Sequence, residues 1–241
     1  MEQAHILFHL AGPTYIPAAF ENPRLFLHTN TAGTINMMEY CRQHNTRMIY
    51  TSAYVYGIPQ YLPINEEHPV NGINPYAESK LIAEQICKSY HQMYGIETFI
   101  VRPFNLYGPG QNKIFLIPKI ISQVKQEKIE LENPSPKRDY IFINDMINAY
   151  LKITEYQSST LEIFNIGSGQ SYTIGEIVSK IKDIAGTEPS VLFTGKNRRN
   201  EILETRADIS KIKKLLGWKP ETSLEEGLRK TILSFFQNDE H

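Results

Sequence analysis

Short apolar segments alternate along this chain with longer segments of helical period, and that alternation restricts the fold more than any other feature. Three of the apolar segments cover residues 6–11, 47–52 and 98–102, and turn-forming residues bound each of them. Apolar runs of this length suit strands covered on both faces, and the helical segments between them suit crossover connections. The pattern therefore predicts an α/β fold built on a parallel sheet.

Two helices are predicted between these strands, over about residues 30–44 and 75–94. Pro75 falls in the first turn of the second helix and Gly95 follows its last turn, as is typical of helix ends. Apolar side chains recur in this helix at steps of three and four residues, so one face must be buried. The residues of that stripe are Leu81, Ile82, Ile86, Tyr90 and Met93.

Turns rich in Gly and Pro interrupt the chain after Pro103, and the last third is typical of a smaller lobe. Thr173 and Glu176 have the spacing of a capping box that opens a helix. The elements predicted in this half are a helix at 114–128, a strand and a helix at 140–153, a strand at 162–166, and helices at 173–185 and 223–236.

Charge and composition exclude several kinds of partner. The 25 Lys and Arg and 26 Asp and Glu residues are interspersed, which argues against nucleic acid or an anionic membrane as a partner. No apolar run approaches the roughly 18 residues of a membrane span, and residues 1–3 lack the basic start of a signal peptide. Cys41 and Cys87 match no disulfide or metal spacing, and no histidine pair has a metal spacing. We expect reduced, buried thiols in a cytoplasmic protein that binds a compact ligand.

Tyr76 and Lys80 lie four residues apart in the second predicted helix, so their side chains share a face. An ammonium beside a phenol lowers the pKa of the phenol from about 10, which makes it a usable acid or base near neutrality. Roughly one such pair is expected by chance in this composition, so an exposed helix pair is the alternative. Ser52 ends an apolar strand, where parallel sheets open their ligand crevice.

Three sequence motifs, found in this order along the chain, favour a catalytic role for these residues. The segments Tyr-Thr-Ser-Ala-Tyr-Val-Tyr-Gly (50–57), Pro-Tyr-Ala-Glu-Ser-Lys (75–80) and Arg-Pro-Phe-Asn-Leu-Tyr-Gly-Pro-Gly (102–110) resemble the extended short-chain dehydrogenase/reductases that act on nucleotide sugars, of the UDP-glucose 4-epimerase type. The resemblance implies a doubly wound, Rossmann-like sheet with a smaller C-terminal substrate-binding lobe. Further matching segments are residues 9–12, 30–36, 138–145, 164–169, 208–211 and 216–220.

The resemblance implies a catalytic set and a nicotinamide cofactor, NAD or NADP. Tyr76 corresponds to the acid/base, Lys80 to the residue that lowers its pKa and holds the nicotinamide ribose, and Ser52 to the residue that shares the sugar hydroxyl proton. The implied cofactor contacts are Leu10, Ala11, Gly12, Tyr76, Lys80 and Pro103.

A nucleoside-diphosphate sugar is the implied substrate, with its phosphates held by Asn105, Arg138 and Arg198. Arg199 is the alternative to Arg198, and a turn ion pair with Asp139 is the alternative role for Arg138. Dehydratases of this family carry an Asp-Glu pair after the catalytic Ser or Thr, whereas this chain has Ala53 and Tyr54. The resemblance therefore favours 4-epimerisation or oxidoreduction at C4 over dehydration.

Two smaller features are interpreted from the residues themselves. Gly167, Ser168 and Gly169 precede a helix and form a possible phosphate cradle, but a strand-to-helix turn is favoured because the third glycine and the downstream acid are missing. His9 ends a strand, where it lies near a ligand or is satisfied by the backbone.

The glycine-rich cofactor turn of the family is missing from this sequence, which has no Gly-x-Gly-x-x-Gly or Gly-x-x-Gly-x-x-Gly. We therefore expect an N-terminal truncation of about 60 residues, with an incomplete cofactor site and an open edge at the strand of residues 6–11. Such a chain recruits a separate polypeptide, pairs that edge with itself, or is a destabilised remnant. Residues 1–105 would be the remainder of a dinucleotide-binding domain and 106–241 mainly the substrate lobe, with 139–170 returning to the main domain.

The sequence is compatible with two functions. The first is an epimerase or reductase that forms a homodimer through helices 30–44 and 75–94, although ordinary core packing also explains their apolar faces. The second is an inactive family member, which acts as a sugar-nucleotide-binding or assembly protein or as one half of a split enzyme.

Overall fold

The computed structural model describes residues 4–196 and 201–238. The strands in this part of the chain are β1 (Ile6–His9), β2 (Arg47–Thr51), β3 (Thr98–Pro103), β4 (Asn105–Tyr107), β5 (Lys128–Leu131), β6 (Lys137–Arg138), β7 (Tyr140–Phe142), β8 (Glu162–Ile166), β9 (Tyr172–Thr173) and β10 (Ser190–Phe193). The helices are α1 (Ile16–Glu21), α2 (Pro23–His44), α3 (Pro75–Tyr94), α4 (Leu116–Val124), α5 (Ile143–Glu155), α6 (Ile174–Ala185), α7 (Ser210–Leu216) and α8 (Leu224–Asn238).

A parallel sheet in the order β1-β2-β3-β8 forms the centre of the fold. The predicted α/β, Rossmann-like architecture is confirmed, although β1 ends at His9 and β2 at Thr51. Every residue of β3 except Pro103 is buried, which explains why its sequence is a continuous apolar run that contains one arginine. Within the described residues β1 is paired on one side only, with β2.

Helices α2 and α3 pack together on one face of this sheet. Helix α2 begins at Pro23, earlier than the predicted start at residue 30, because the Asn22 side chain accepts a hydrogen bond from the Leu25 N–H. Helix α3 has its predicted bounds, with Asn74 as the N-cap and Gly95 in the left-handed conformation at φ 68°.

The predicted buried stripe of α3 is confirmed only in part: Ile86 and Tyr90 are half-buried against the core, whereas two of its members are exposed. Ile82 is 39% exposed and Met93 is 63% exposed, while the side chains turned inward are small or polar. Small side chains let the helix approach its neighbours closely, and the polar ones find partners at the end of the sheet. The buried residues of α3 are Ala77, Ser79, Lys80, Ala83, Glu84 and Cys87.

The opposite face of the sheet is covered by α5, and a second apolar core fills the C-terminal lobe. The strand at β8 and the capping box of α6 are confirmed, whereas the helix predicted at 114–128 ends at Val124 because β5 follows. Cys41 and Cys87 are free and buried. No helix in the described ranges is both long and apolar enough to cross a bilayer.

Candidate active site

The carboxyl ends of β1, β2 and β3 bring several predicted site residues to one edge of the sheet. Ser52 directly follows β2, and the first turns of α3 carry Tyr76 and Lys80. Lys80 Nζ donates a hydrogen bond of 2.8 Å to the carbonyl oxygen of Thr51, the residue before Ser52. The helix that carries Tyr76 is therefore tied to the end of the strand that presents Ser52.

Lys80 is buried at 3% exposure and lies over an aromatic ring. Its Nζ is 5.1 Å from the centre of the Tyr50 ring, a distance at which a cation is attracted to the ring face. Burial lowers the pKa of Lys80 to about 8. In the described part of the chain Thr51 is its hydrogen-bond acceptor, so two of its three N–H donors remain for other groups.

Tyr76 is partly buried, and its ring packs edge to face against Phe26 at 6.3 Å between centroids. Burial raises the pKa of Tyr76 to about 12. The expected lowering of the pKa of this phenol by Lys80 is therefore not found in this structure, because loss of water outweighs any charge effect. The assignment of Tyr76 as an acid/base stays a prediction.

Ser52 belongs to a buried polar network that the sequence did not predict. Its Oγ donates a hydrogen bond of 2.6 Å to Glu84 Oε1, and Glu84 is fully buried. Arg102 reaches both oxygens of the same carboxylate, through Nε at 2.9 Å and Nη2 at 2.6 Å. The available signals were an arginine inside an apolar strand and a glutamate four residues after Lys80 on the same helix face.

The outer part of this network extends toward β8. Arg102 Nη1 donates to the hydroxyl of Tyr56 at 3.1 Å, and that hydroxyl donates to Asn165 Oδ1 at 2.5 Å. Although burial opposes the charge on Arg102, the hydrogen bonds and charge of Glu84 raise its pKa further above the usual range. The arrangement therefore holds a permanent cation against a carboxylate next to Ser52.

His9 ends β1 at 7% exposure, and its Nε2 lies 3.1 Å from the Thr34 hydroxyl oxygen. The partner is thus a side chain of α2 and not the backbone. Burial, followed by the charge of Lys80, lowers the pKa of His9 to about 4, so the ring is neutral at pH 7.

Leu10, Ala11 and Gly12 form the turn that follows β1. Gly12 has φ +145°, and a Cβ placed on it would lie 2.1 Å from Asn30 Oδ1. Asn30 Nδ2 donates to Ser79 Oγ at 2.8 Å, while its buried Oδ1 has no hydrogen-bond partner among the described residues. The turn is held close to α2, and glycine is required there because any side chain would displace Asn30.

The predicted phosphate contacts have partners within the protein. Asn105 Nδ2 donates to the carbonyl oxygen of Asp139 at 3.0 Å. Arg138 Nη2 forms an ion pair of 2.7 Å with Glu201, so the alternative pairing with Asp139 is wrong. Arg198 and its alternative Arg199 lie outside the described residues.

The favoured reading of Gly167, Ser168 and Gly169 as a turn is consistent with the structure, because their donors are directed at a protein carboxylate. The N–H groups of Ser168 and Gly169, the Ser168 hydroxyl and the N–H of Ala207 all donate to Asp139, at 2.7 to 3.0 Å. Among the described residues no cluster of three or more His, Cys, Asp or Glu side chains has an arrangement that would hold a metal ion.

Comparisons with known proteins agree with this architecture. The family model described as GDP-mannose 4,6 dehydratase matches residues 2–231. GDP-6-deoxy-D-mannose reductase of Pseudomonas aeruginosa is 32% identical over 96% of this chain and 80% of its own length. UDP-glucuronate 4-epimerase of Thermodesulfobacterium geofontis is 31% identical over 94% of this chain and 71% of its own length.

Two solved structures show the same fold with bound ligands. The structure of RMD from Pseudomonas aeruginosa with NADPH has a TM-score of 0.92 at 31% identity, over 98% of this chain and 83% of that one. The structure of MoeE5 with UDP-glucose and NAD has a TM-score of 0.91 at 25% identity, over 98% of this chain and 80% of that one.

The parallel sheet, with a serine, a tyrosine and a lysine at its carboxyl edge, defines the class of extended short-chain dehydrogenase/reductases. Within that class the chain belongs to the GDP-mannose 4,6 dehydratase family, whose matched members modify nucleotide sugars. The resemblance of the three sequence motifs to such enzymes is confirmed.

Proposed function

We propose that this protein is an NAD- or NADP-dependent enzyme that epimerises, or oxidises and reduces, C4 of a nucleoside-diphosphate sugar. The observation that carries the proposal is the hydrogen bond from Lys80 to Thr51, which sets the Tyr76 helix beside Ser52. Relatives that reduce or epimerise nucleotide sugars support the same reaction class.

Tyr76 removes the proton of the sugar hydroxyl and later returns one, while Ser52 holds that hydroxyl in place. A phenol with a pKa near 12 is a poor base at neutral pH, so it needs a cation next to it when substrate binds. Lys80 supplies this cation, because it stays mainly protonated at pH 7 and has N–H donors beyond the one given to Thr51.

The residues present fit the nicotinamide-ribose end of the cofactor. Leu10, Ala11 and Gly12 follow β1 and Pro103 ends β3, so they lie at the carboxyl ends of the strands, as Ser52 does after β2. When bound, the nicotinamide ring supplies the hydride acceptor and donor that C4 chemistry requires. The sequence holds no Gly-x-Gly-x-x-Gly motif.

Asn105, Arg138 and Arg198 are proposed to hold the diphosphate of the sugar nucleotide. Arg138 suits this role because a guanidinium binds phosphate oxygens through two parallel hydrogen bonds. Its ion pair with Glu201 would have to open, since the same Nη2 serves that carboxylate. Substrate binding is therefore expected to move the segment that contains Glu201.

A homodimer through α2 and α3 is the proposed assembly. Ile35 and Ile82 are 42% and 39% exposed on these adjacent helices, which suits packing against a second copy. Size-exclusion chromatography with light scattering tests this assembly. Ile35→Arg together with Ile82→Arg should convert a dimer to a monomer, and a wild-type monomer would contradict the proposal.

The open edge of β1 is the second proposed contact. Within the described residues one side of β1 has no pairing strand, and the exposed side chains of Phe8 and Leu10, at 41% and 56%, favour addition of a further strand.

Calorimetric titration tests the proposed function directly. NAD, NADPH, UDP-glucose and GDP-mannose are titrated into the purified protein, and turnover is followed with each cofactor and sugar nucleotide together. We expect binding of at least one sugar nucleotide and a turnover that requires the cofactor. Sugar-nucleotide binding without any cofactor binding or turnover would favour the inactive binding protein.

A further inference from the structure

Glu84 touches Ser52 from the interior side of the site. The Ser52 Oγ to Glu84 Oε1 distance is 2.6 Å, which is short for a hydroxyl donating to a carboxylate. Ser52 is 2% exposed and Glu84 is fully buried, so water does not compete for this bond.

The carboxylate is fixed on its other side by Arg102. The guanidinium donates to both carboxylate oxygens, and it is itself held by the Tyr56 hydroxyl. A carboxylate in this environment only accepts hydrogen bonds. The proton in the Ser52–Glu84 bond therefore belongs to Ser52.

A serine hydroxyl has one hydrogen to donate and two lone pairs that accept. Because the hydrogen of Ser52 is given to Glu84, the lone pairs remain for a ligand. We propose that Glu84 is a positioning residue that fixes the Ser52 hydroxyl as a hydrogen-bond acceptor for the hydroxyl of a bound sugar. This inference rests on the proposed function, because it takes a sugar hydroxyl as the ligand.

The arrangement has a consequence for the reaction. A sugar hydroxyl donates to Ser52 while the substrate is bound as an alcohol, and then turns to give its proton to Tyr76. A ketone at C4 has no hydrogen to donate, so Ser52 has to leave Glu84 before it can donate to the ketone. Glu84 therefore favours the hydroxyl form of the sugar over the keto form.

A double-mutant cycle on ligand affinity tests this role. Glu84→Gln places an amide N–H₂ against an Arg102 donor in either orientation, and in one of them also against Ser52 Oγ. The acceptor for the Ser52 hydrogen is therefore no longer held in a fixed position. We expect Glu84→Gln to weaken UDP-glucose binding about tenfold, the loss of roughly one hydrogen bond. Binding of UDP, which lacks the sugar, should not change.

The decisive comparison is made in the Ser52→Ala background. If Glu84 acts through Ser52, Glu84→Gln has no further effect on UDP-glucose affinity once the serine hydroxyl is gone. A tenfold loss that persists in Ser52→Ala, or an equal loss for UDP, would overturn the inference and show a merely structural role. Glu97→Gln is the control, because Glu97 is also paired with an arginine, Arg47, at the opposite end of the sheet.

A second variant keeps the test valid if Glu84→Gln does not fold. Glu84→Met with Arg102→Met replaces the ion pair by apolar side chains and leaves Ser52 without its acceptor. The inference is supported if this double variant binds UDP-glucose about tenfold more weakly but binds UDP as the wild type does. The loss of UDP-glucose affinity should also disappear when Ser52 is replaced by alanine. If the wild-type protein binds none of the sugar nucleotides, the proposed function itself is overturned. That result differs from a double-mutant cycle in which the wild type binds UDP-glucose but Glu84 and Ser52 act independently.

Discussion

Lys80 donates to the carbonyl oxygen of Thr51 at 2.8 Å, and this bond fixes the start of α3 against the carboxyl end of β2. The backbone carbonyl cannot move independently of the sheet, so the position of the ammonium is set by the fold. Ser52 follows Thr51 directly, and Tyr76 lies one helical turn before Lys80. The geometry of all three proposed catalytic residues thus depends on one side chain.

The burial of Lys80 predicts a pH dependence of stability. Its pKa is about 8 in the folded protein and near 10.4 when unfolded. The unfolded chain therefore binds more protons between these values, and the free energy of unfolding gains a contribution that rises with pH, by up to about 1.4 kcal/mol per unit. Lys80→Met should remove this rise.

Urea unfolding at pH 8, 9 and 10 measures the effect. The difference in unfolding free energy between wild type and Lys80→Met should grow in favour of the wild type as the pH rises. Lys119→Met, at an exposed position, is the control and should give a difference that does not change with pH. A constant difference for Lys80→Met would mean that Lys80 has an ordinary pKa.

The Glu84–Arg102 pair predicts a strong asymmetry between single and double substitutions. Arg102→Met leaves a fully buried carboxylate without its cation and should lower the free energy of unfolding by about 3–5 kcal/mol. The double variant with Glu84→Met and Arg102→Met removes both charges, so its free energy of unfolding should fall clearly less. Denaturant titration compares the two proteins, and equal losses would show that packing, and not charge, determines the cost.

Gly12 predicts a steric effect at the proposed cofactor edge. In Gly12→Ala the new Cβ would lie 2.1 Å from Asn30 Oδ1, and φ is +145°, so we expect a loss of about 2 kcal/mol or more in unfolding free energy. Asn30→Ala in the same protein should recover part of the loss, because it removes the clashing oxygen.

The control for this effect is Gly110→Ala. Gly110 also has a positive φ, at +77°, but in the described part of the chain nothing lies within 4 Å of a Cβ placed there. Its substitution adds backbone strain without a clash and should cost less. Equal costs at the two positions would assign the whole effect to backbone conformation.

The strands of the sheet and the ends of α3 could be predicted because their signals are local. Pro75 and Gly95 mark α3 within a few residues of its ends, and the buried strands are continuous apolar runs. The early start of α2 also had a local signal, since Asn22 and Pro23 are a typical N-cap and first helical residue.

The polar contacts of the site could not be predicted, because their partners are distant in sequence. Glu84 meets Arg102 across 18 positions and Arg138 meets Glu201 across 63. Periodicity ranks residues by apolarity, so it selected Ile82 and Met93 for burial and passed over Lys80 and Glu84. Polar side chains become suitable for burial only when a partner is present, and the partner is known only from the fold.

In the proposed reaction Tyr76 exchanges the proton of the sugar hydroxyl, and Tyr76→Phe tests this role most directly because only the phenol hydroxyl is lost. Turnover of the active cofactor and sugar-nucleotide pair is measured for both proteins, with thermal unfolding and sugar-nucleotide affinity as controls. We predict a loss of about 10²–10⁴-fold in kcat with unfolding and affinity little changed. A Tyr76→Phe protein that keeps wild-type kcat would contradict the account.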